Sequence, residues 1–401
     1  MAVRVKTLPL LSCGFRPFFL LTSAYAVFLI GVWTFSWQGW LPMPTSEGGP
    51  IVWHAYELIY GFTLAAIIGF LLTATPEFVP AKEINGGQLL SLVLLWIGGR
   101  VVFWLSASLG LVPAAVLNLS LLVAIIVLLA PPIWRDSGRP HMSFIYALFS
   151  LGIIEAGFFV NGFRGAAMMP WLYAAIGAVM VLIVIALSRI SMRVINGLEE
   201  GIDLYGDKEV EYLARPPRRN LAMLTISLFT LVEFFAPGNN ITGWLALASG
   251  AAMFNLLNDW HIGRPLFNRW VFGLYSIYWL MALGYFLMGL SILADWSLIS
   301  AARHILVIGA IGFSIFLIMI FAGQVHCGQE LKYRHWMTIG IVAILDAVVF
   351  RIMMAIPAFA AHSSLLLILS GELWVTSFML YFIYFWRNLT VPARDGRTGC
   401  L

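Results

Sequence analysis

Residues 298–322 read LISAARHILVIGAIGFSIFLIMIFA. A helix rising about 1.5 Å per residue needs roughly 20 apolar residues to cross the hydrocarbon of a bilayer, and this stretch is long enough. It also carries Arg303 and His304 inside it. Hydrocarbon makes an ionisable side chain costly, about 3 kcal/mol at a helix centre by insertion scales, so one that persists there marks a site or a buried partner. A single stretch therefore fixes both the kind of fold and where function is to be sought.

The same pattern fills the rest of the chain. Of 401 residues 61% are hydrophobic and only 10% are charged, too few to coat a soluble fold of this size. Only helices satisfy their own backbone in lipid without closing into a barrel. The reading is an all-α polytopic membrane protein with twelve transmembrane helices. Spans fall near 17–36, 51–72, 88–107, 108–130, 143–163, 168–190, 220–236, 240–260, 270–294, 298–322, 336–357 and 363–387. The first follows Arg4, Lys6 and Arg16 like a signal peptide's basic start, but it has no convincing small-residue cleavage site and is read as retained. The net charge of +4 is scattered over loops, which excludes a nucleic-acid surface. Cys13, Cys327 and Cys400 lie far apart and form no CxxC, so neither a disulfide framework nor a thiolate metal site is expected.

Basic residues set the orientation. With the N-terminus inside, nineteen lysines and arginines fall on inner segments and one, Arg164, on an outer loop, while Arg100, Arg303 and Arg351 lie within spans. Such asymmetry places both termini in the cytoplasm. The longest polar stretch, 196–220, separates 1–195, with six spans, from 221–401, with six more, and reads as a cytoplasmic linker inside one transmembrane domain. No repeat relates the halves by eye, so an inverted-repeat transporter is not supported.

Orientation turns sequence position into depth. His54, Glu57, Arg100, Glu155, Glu233, Arg303, His304 and Arg351 fall mostly in the outer half, Asp346 and Glu372 deeper, and His141, His261, His326 and His335 at the inner face. Three arginines and several carboxylates in one leaflet are expected to pair, which lowers the cost of each. His54 and Glu57, three apart, share a helix face, an arrangement common in metal sites and equally open to an interfacial histidine. For His304 the competing reading is a hydrogen-bonded packing residue. Glycines 61, 69, 98, 99, 284, 289, 309 and 312 allow close helix packing, and would also leave room beside His54 and His304 for a flat macrocycle.

Gly14-Phe15-Arg16-Pro17-Phe18-Phe19, Trp53-His54-Ala55-Tyr56-Glu57 with Gly61-Phe62, Gly69-Phe70-Leu71-Leu72-Thr73-Ala74, Gly99-Arg100, Arg193-Val194-Ile195, His304 with Gly309 and Gly312, and the tail Arg394-Asp395-Gly396-Arg397 follow one another over nearly the whole chain. In order and spacing they resemble the NnrS family of bacterial inner-membrane proteins. The resemblance implies a role in nitric oxide and nitrosative stress, with haem and copper as cofactors. This sequence departs from the family pattern where histidines are usual: Tyr56 stands at one such position and Tyr275 aligns with another. Asn196 replaces a proline, and the inner end of span ten reads Val325-His326-Cys327-Gly328-Gln329.

The leading expectation is an NnrS-like protein of the bacterial inner membrane that holds haem b, and also copper, in its outer-half polar cluster and binds or converts nitric oxide there. His54, His304 and His326 are the candidate metal ligands, with His54, His304, Glu57, Arg100, Arg303 and Arg351 around the cofactor and the arginines available to propionates. His326, at the opposite face, shares no ligand set with His304. Two other readings stand beside it. One is a proton-coupled transporter or metal exporter without redox activity, using Glu57, Glu155, Asp346 and Glu372. The other is a sensor or assembly partner contacting other proteins through 196–220.

Overall fold

The computed structural model describes residues 8–200, 215–259, 264–393 and 399–400, without side-chain detail at 189–200 and 264–265. Most of the 196–220 stretch read as a linker thus lies outside the described residues. Among the described residues there is no strand, and helices form at each place where the sequence predicts a span. They are α1 Phe15–Trp37, α2 Gly49–Phe78, α3 Gly86–Trp104, α4 Leu111–Arg135, α5 Met142–Phe163, α6 Met169–Glu200, α7 Pro216–Phe235, α8 Asn240–Leu257, α9 Arg269–Leu293, α10 Ile299–His326, α11 His335–Met353 and α12 Ser363–Thr390.

Among the described residues ten helical segments are long and apolar enough to cross a membrane. The two that fall short are α7, whose first turn carries Arg218 and Arg219, and α8, which carries Asn240 and Asn255. They are consecutive, so the helices after them keep the same direction whether the pair crosses or not. Large apolar side chains point outward, among them Leu94, Val112, Val123, Val127, Phe149 and Ile153. Exposed carbon of this kind suits lipid, not water.

Two helices change register. In α2 the segment Glu57–Thr63 is π-helical, and in α10 so is Ile305–Gly312. A π turn shifts hydrogen bonding from i→i+4 to i→i+5 and often marks a functional site. One starts three residues after the candidate His54, and the other directly follows the candidate His304.

The contacts divide the chain into two compact units. The first comprises Met1–Ala175, Ile318–Ala343 and Gly371–Leu401, and the second Ile176–Leu317 and Ile344–Ser370. Their boundaries fall inside α6, α10, α11 and α12, not at the polar stretch between the sequence halves. In the first unit α1 packs on α2, α3 on α4 and α4 on α5. In the second, α9 packs on both α8 and α10, and α8 on α7.

One expectation is corrected. Cys13 and Cys400 form a disulfide across a sequence separation of 387. Spacing along the chain gave no hint of it because helix packing, not sequence proximity, joins the two ends. Arg16, 1% exposed, reaches into the C-terminal end of α12 and donates through Nη1 to the carbonyl oxygens of Leu389 at 3.2 Å and Val391 at 2.7 Å. A cation there satisfies carbonyls that no further helical turn would use.

The α8–α9 contact depends on small residues. A Cβ added at Gly289 would lie 2.7 Å from the backbone oxygen of Gly243. Gly289→Val is expected to destabilise the protein by about 1–3 kcal/mol, as overpacking does, read as a lowered thermal midpoint in detergent. Gly31→Ala, with nothing within 4 Å of the added carbon, is the control expected to hold its midpoint.

Candidate functional site

Arg100 anchors a buried cluster in the first unit. α3 carries it inward at 4% exposure, and the π segment of α2 presents Glu57, fully buried, 2.8 Å from its Nη1. Glu57 Oε2 also accepts from the hydroxyl of Tyr25 on α1 at 2.7 Å, and that hydroxyl accepts from Trp104 Nε1 at 2.9 Å. The other arm of Arg100 donates to the Asn118 side-chain oxygen on α4. Four helices thus share one ion pair.

Glycine makes the space. At Gly61 a Cβ would meet Tyr25 at 2.6 Å and Glu57 Oε2 at 2.7 Å, and at Gly99 it would meet Asn118 Oδ1 at 2.6 Å. The π segment also offers the Gly61 carbonyl to Trp96 Nε1 at 3.1 Å. The space left by Gly61 and Gly99 is therefore filled by protein side chains. Gly309 is likewise faced by Leu280 and Val348.

A second buried carboxyl adjoins this cluster. Glu155 of α5 is fully buried and accepts from the Tyr56 hydroxyl at 2.8 Å, while its Oε2 has no hydrogen-bond partner among the described residues. The Tyr56 ring is stacked on Phe103 and Phe158, with the Arg100 guanidinium 5.4 Å from its centroid. Tyr56 is thus a packed, hydrogen-bonded core residue. His54 stands apart: its ring is half-buried and stacked on Trp33, centroids 4.1 Å apart, whereas Glu57 turns to Tyr25 and Arg100.

Ser300 organises the corresponding place in the second unit. Its carbonyl oxygen lies 2.7 Å from His304 Nδ1. A carbonyl only accepts, so Nδ1 carries the proton, and in the neutral ring Nε2 is then the nitrogen with the lone pair. The Ser300 hydroxyl accepts from Arg351 of α11 at 3.3 Å. Arg303, one residue before His304, grips Glu233 of α7 with both guanidinium arms, at 2.8 and 3.4 Å. Arg351 has no carboxylate partner among the described residues.

His54 belongs to the first unit and His304 to the second. His326 closes the opposite end of the α10 span that begins beside His304, with Nε2 3.6 Å from Glu77 and Nδ1 3.1 Å from the Cys400 carbonyl. Among the other acidic candidates, Glu372 is half-buried and Asp346 exposed. Tyr275 sits half-buried on α9 near Trp279. Among the described residues no group of three or more His, Cys, Asp or Glu side chains is placed to hold a metal ion. Tyr25, Asn118, Trp104 and Ser300 were not anticipated. The one signal toward the first three was the pair Gly61 and Gly99, read as helix packing and as room for a macrocycle, not as space for polar side chains.

Helices of this length and apolarity, with ion pairs shut inside both compact units, define a multi-pass membrane protein in a lipid bilayer. The chain belongs to the NnrS family: the family model described as NnrS protein matches residues 9–392, nearly all of it. No curated protein matches it.

The buried pair generates a prediction. Arg100→Met leaves Glu57 uncompensated and is expected to cost about 3–5 kcal/mol, whereas the double variant Arg100→Met/Glu57→Gln recovers a large part of that loss. Stability in detergent against denaturant measures both, and a double variant no more stable than the single would show that the pair is not coupled.

Proposed function

We propose that this protein acts in the bacterial cytoplasmic membrane in protection from nitric oxide, and that it does so with haem b bound in its second unit. Family membership supports the role, and one observation carries the site: Ser300 holds an imidazole and a guanidinium together. With Nδ1–H tied to the Ser300 carbonyl, a neutral His304 would present Nε2 to a haem iron, the usual arrangement of a ligating histidine. Arg351, bound only to the Ser300 hydroxyl among the described residues, is available to a propionate as a charge-assisted partner. The residues at Ser300 therefore fit a haem.

Other expected contacts fit less well. Arg100 and Arg303 are already occupied by Glu57 and Glu233. Their part is to hold α2, α3, α7 and α10 in place. Copper finds no matching set of donors among the described residues, and Tyr56 is committed to Glu155. Haem iron, when bound, supplies a redox-active centre with affinity for nitric oxide. His304 would set its orientation, and the apolar π segment Ile305–Gly312 that follows would shield it from water.

A proton-coupled transporter without redox work is the second reading. It is favoured by Glu155, a buried carboxyl whose hydrogen-bond partner is a phenol and which has no ion-pair partner among the described residues.

The absorption spectrum of purified protein separates the two. A Soret band is expected, abolished or shifted in His304→Ala and weakened in Arg351→Gln, with membrane insertion intact; His54→Ala tests the remaining imidazole separately. A colourless wild-type protein expressed with ample haem would discard the haem reading and favour transport. Orientation is checked with reporter fusions at Gly48, Gly206 and the C-terminus. An inside signal is expected at the last two and an outside signal at Gly48, and the reverse pattern would overturn every assigned depth.

A further inference from the structure

All three cysteines of the chain gather at one end of the first unit. Cys13, just before α1, is bonded to Cys400. The Cys400 carbonyl accepts from His326 Nδ1 at 3.1 Å, and the Cys400 N–H donates to Glu83 Oε1 at 3.0 Å. Cys327, next to His326, is a buried free thiol whose Sγ lies 3.5 Å from the Asn388 carbonyl, an oxygen also reached by Arg16. Cys400 is thus held in a socket by one covalent bond and two hydrogen bonds.

This end of the unit is also where the basic residues collect: Arg16, Lys82, Arg135, Lys332, Arg334 and Arg387 all belong to the segments that charge asymmetry assigns to the cytoplasm. Disulfides in that compartment are rare, and those that form there are usually transient and tied to redox chemistry. A structural staple and a cytoplasmic location are therefore in conflict, and the conflict is resolved if the bond opens and closes.

We propose that Cys13 and Cys400 are a reversible redox couple on the cytoplasmic face, whose oxidised form latches the C-terminal tail into the Glu83–His326 socket and whose reduced form releases it. The partner is a cytoplasmic dithiol reductant. Its thiolate attacks one sulfur of the disulfide, forming a mixed disulfide and freeing the other cysteine as a thiolate that takes a proton. The reductant's second thiol then displaces the remaining cysteine. Two electrons pass to the pair, leaving two thiols, and the reductant departs as its own disulfide. Cys13 and Cys400 are both buried, so attack requires the chain around the bond to open locally while the bond still holds, and the tail is released only once the bond is broken. The last helix among the described residues ends at Thr390, so release of Cys400 breaks no hydrogen bond of a described helix.

The proposal rests on the charge-based orientation and on the observed bond, and the test separates them. In membranes carrying Cys327→Ser, Cys13 and Cys400 are the only remaining thiols, so mass-tag alkylation after equilibration in dithiothreitol buffers reads the couple directly. A single reversible transition is expected. Carboxypeptidase is expected to trim the reduced form several-fold faster than the oxidised form, and Cys13→Ser is expected to be trimmed like the reduced form under all conditions. A bond that never forms under excess oxidant, that persists under excess reductant in folded protein, or whose reduction leaves trimming unchanged would overturn the latch. A membrane-impermeant reductant added to sealed vesicles then reads the side. Reduction in inverted vesicles supports the cytoplasmic couple. Reduction only in right-side-out vesicles overturns it and the orientation together, even if the redox transition itself is seen.

Discussion

A charge placed in hydrocarbon has to find its opposite within a few ångströms, and this requirement governs how the helices of each unit meet. Arg100 is the clearest case. Its guanidinium draws Glu57 from α2, and through Glu57 the Tyr25 hydroxyl of α1, while Asn118 of α4 takes its other arm. The price is local irregularity. α2 gives up its ordinary hydrogen-bond register over Glu57–Thr63, and two positions forgo a side chain altogether so that the polar groups fit. Such an arrangement is rigid by construction, because moving any one of the four helices strips a partner from a buried ion.

The two units answer the same requirement with opposite local balance. Around Arg100 the carboxyls Glu57 and Glu155 outnumber the guanidinium. Around Ser300 the guanidinia of Arg303 and Arg351 outnumber the carboxylate of Glu233. An excess of half-buried positive charge beside an imidazole suits an anionic cofactor; an excess of carboxyl suits a proton or a cation. The haem reading belongs to the second unit for this reason, and the transport reading draws its support from the first.

Much of the architecture was legible in the sequence, since lipid leaves few alternatives. Apolar runs of about 20 residues have to be helices, and helices stand at each predicted position. The site was legible only in outline. Arg100 and Glu57, Arg303 and Glu233 were expected among pairing groups because each is costly alone, but which carboxylate meets which arginine depends on helix neighbours that no periodicity reveals. Ser300 escaped notice because a serine in an apolar helix ordinarily turns its hydroxyl to its own backbone. The π turns were invisible for a similar reason, since their residues differ in no obvious way from those of a regular helix. The disulfide was missed because its halves lie at opposite ends of the chain.

The order of the chain gives Arg16 a long wait. Its acceptors at the end of α12 leave the ribosome more than 370 residues after it does. The first unit is built from 1–175 and from two later pieces, so the whole stretch 176–317 enters the membrane before that unit can close. During this interval the guanidinium must stay near headgroups or water. A chain stalled or cleaved before α12 would carry an unsatisfied cation at the edge of an incomplete bundle, a feature that a membrane quality-control protease could read as a mark of unfinished synthesis.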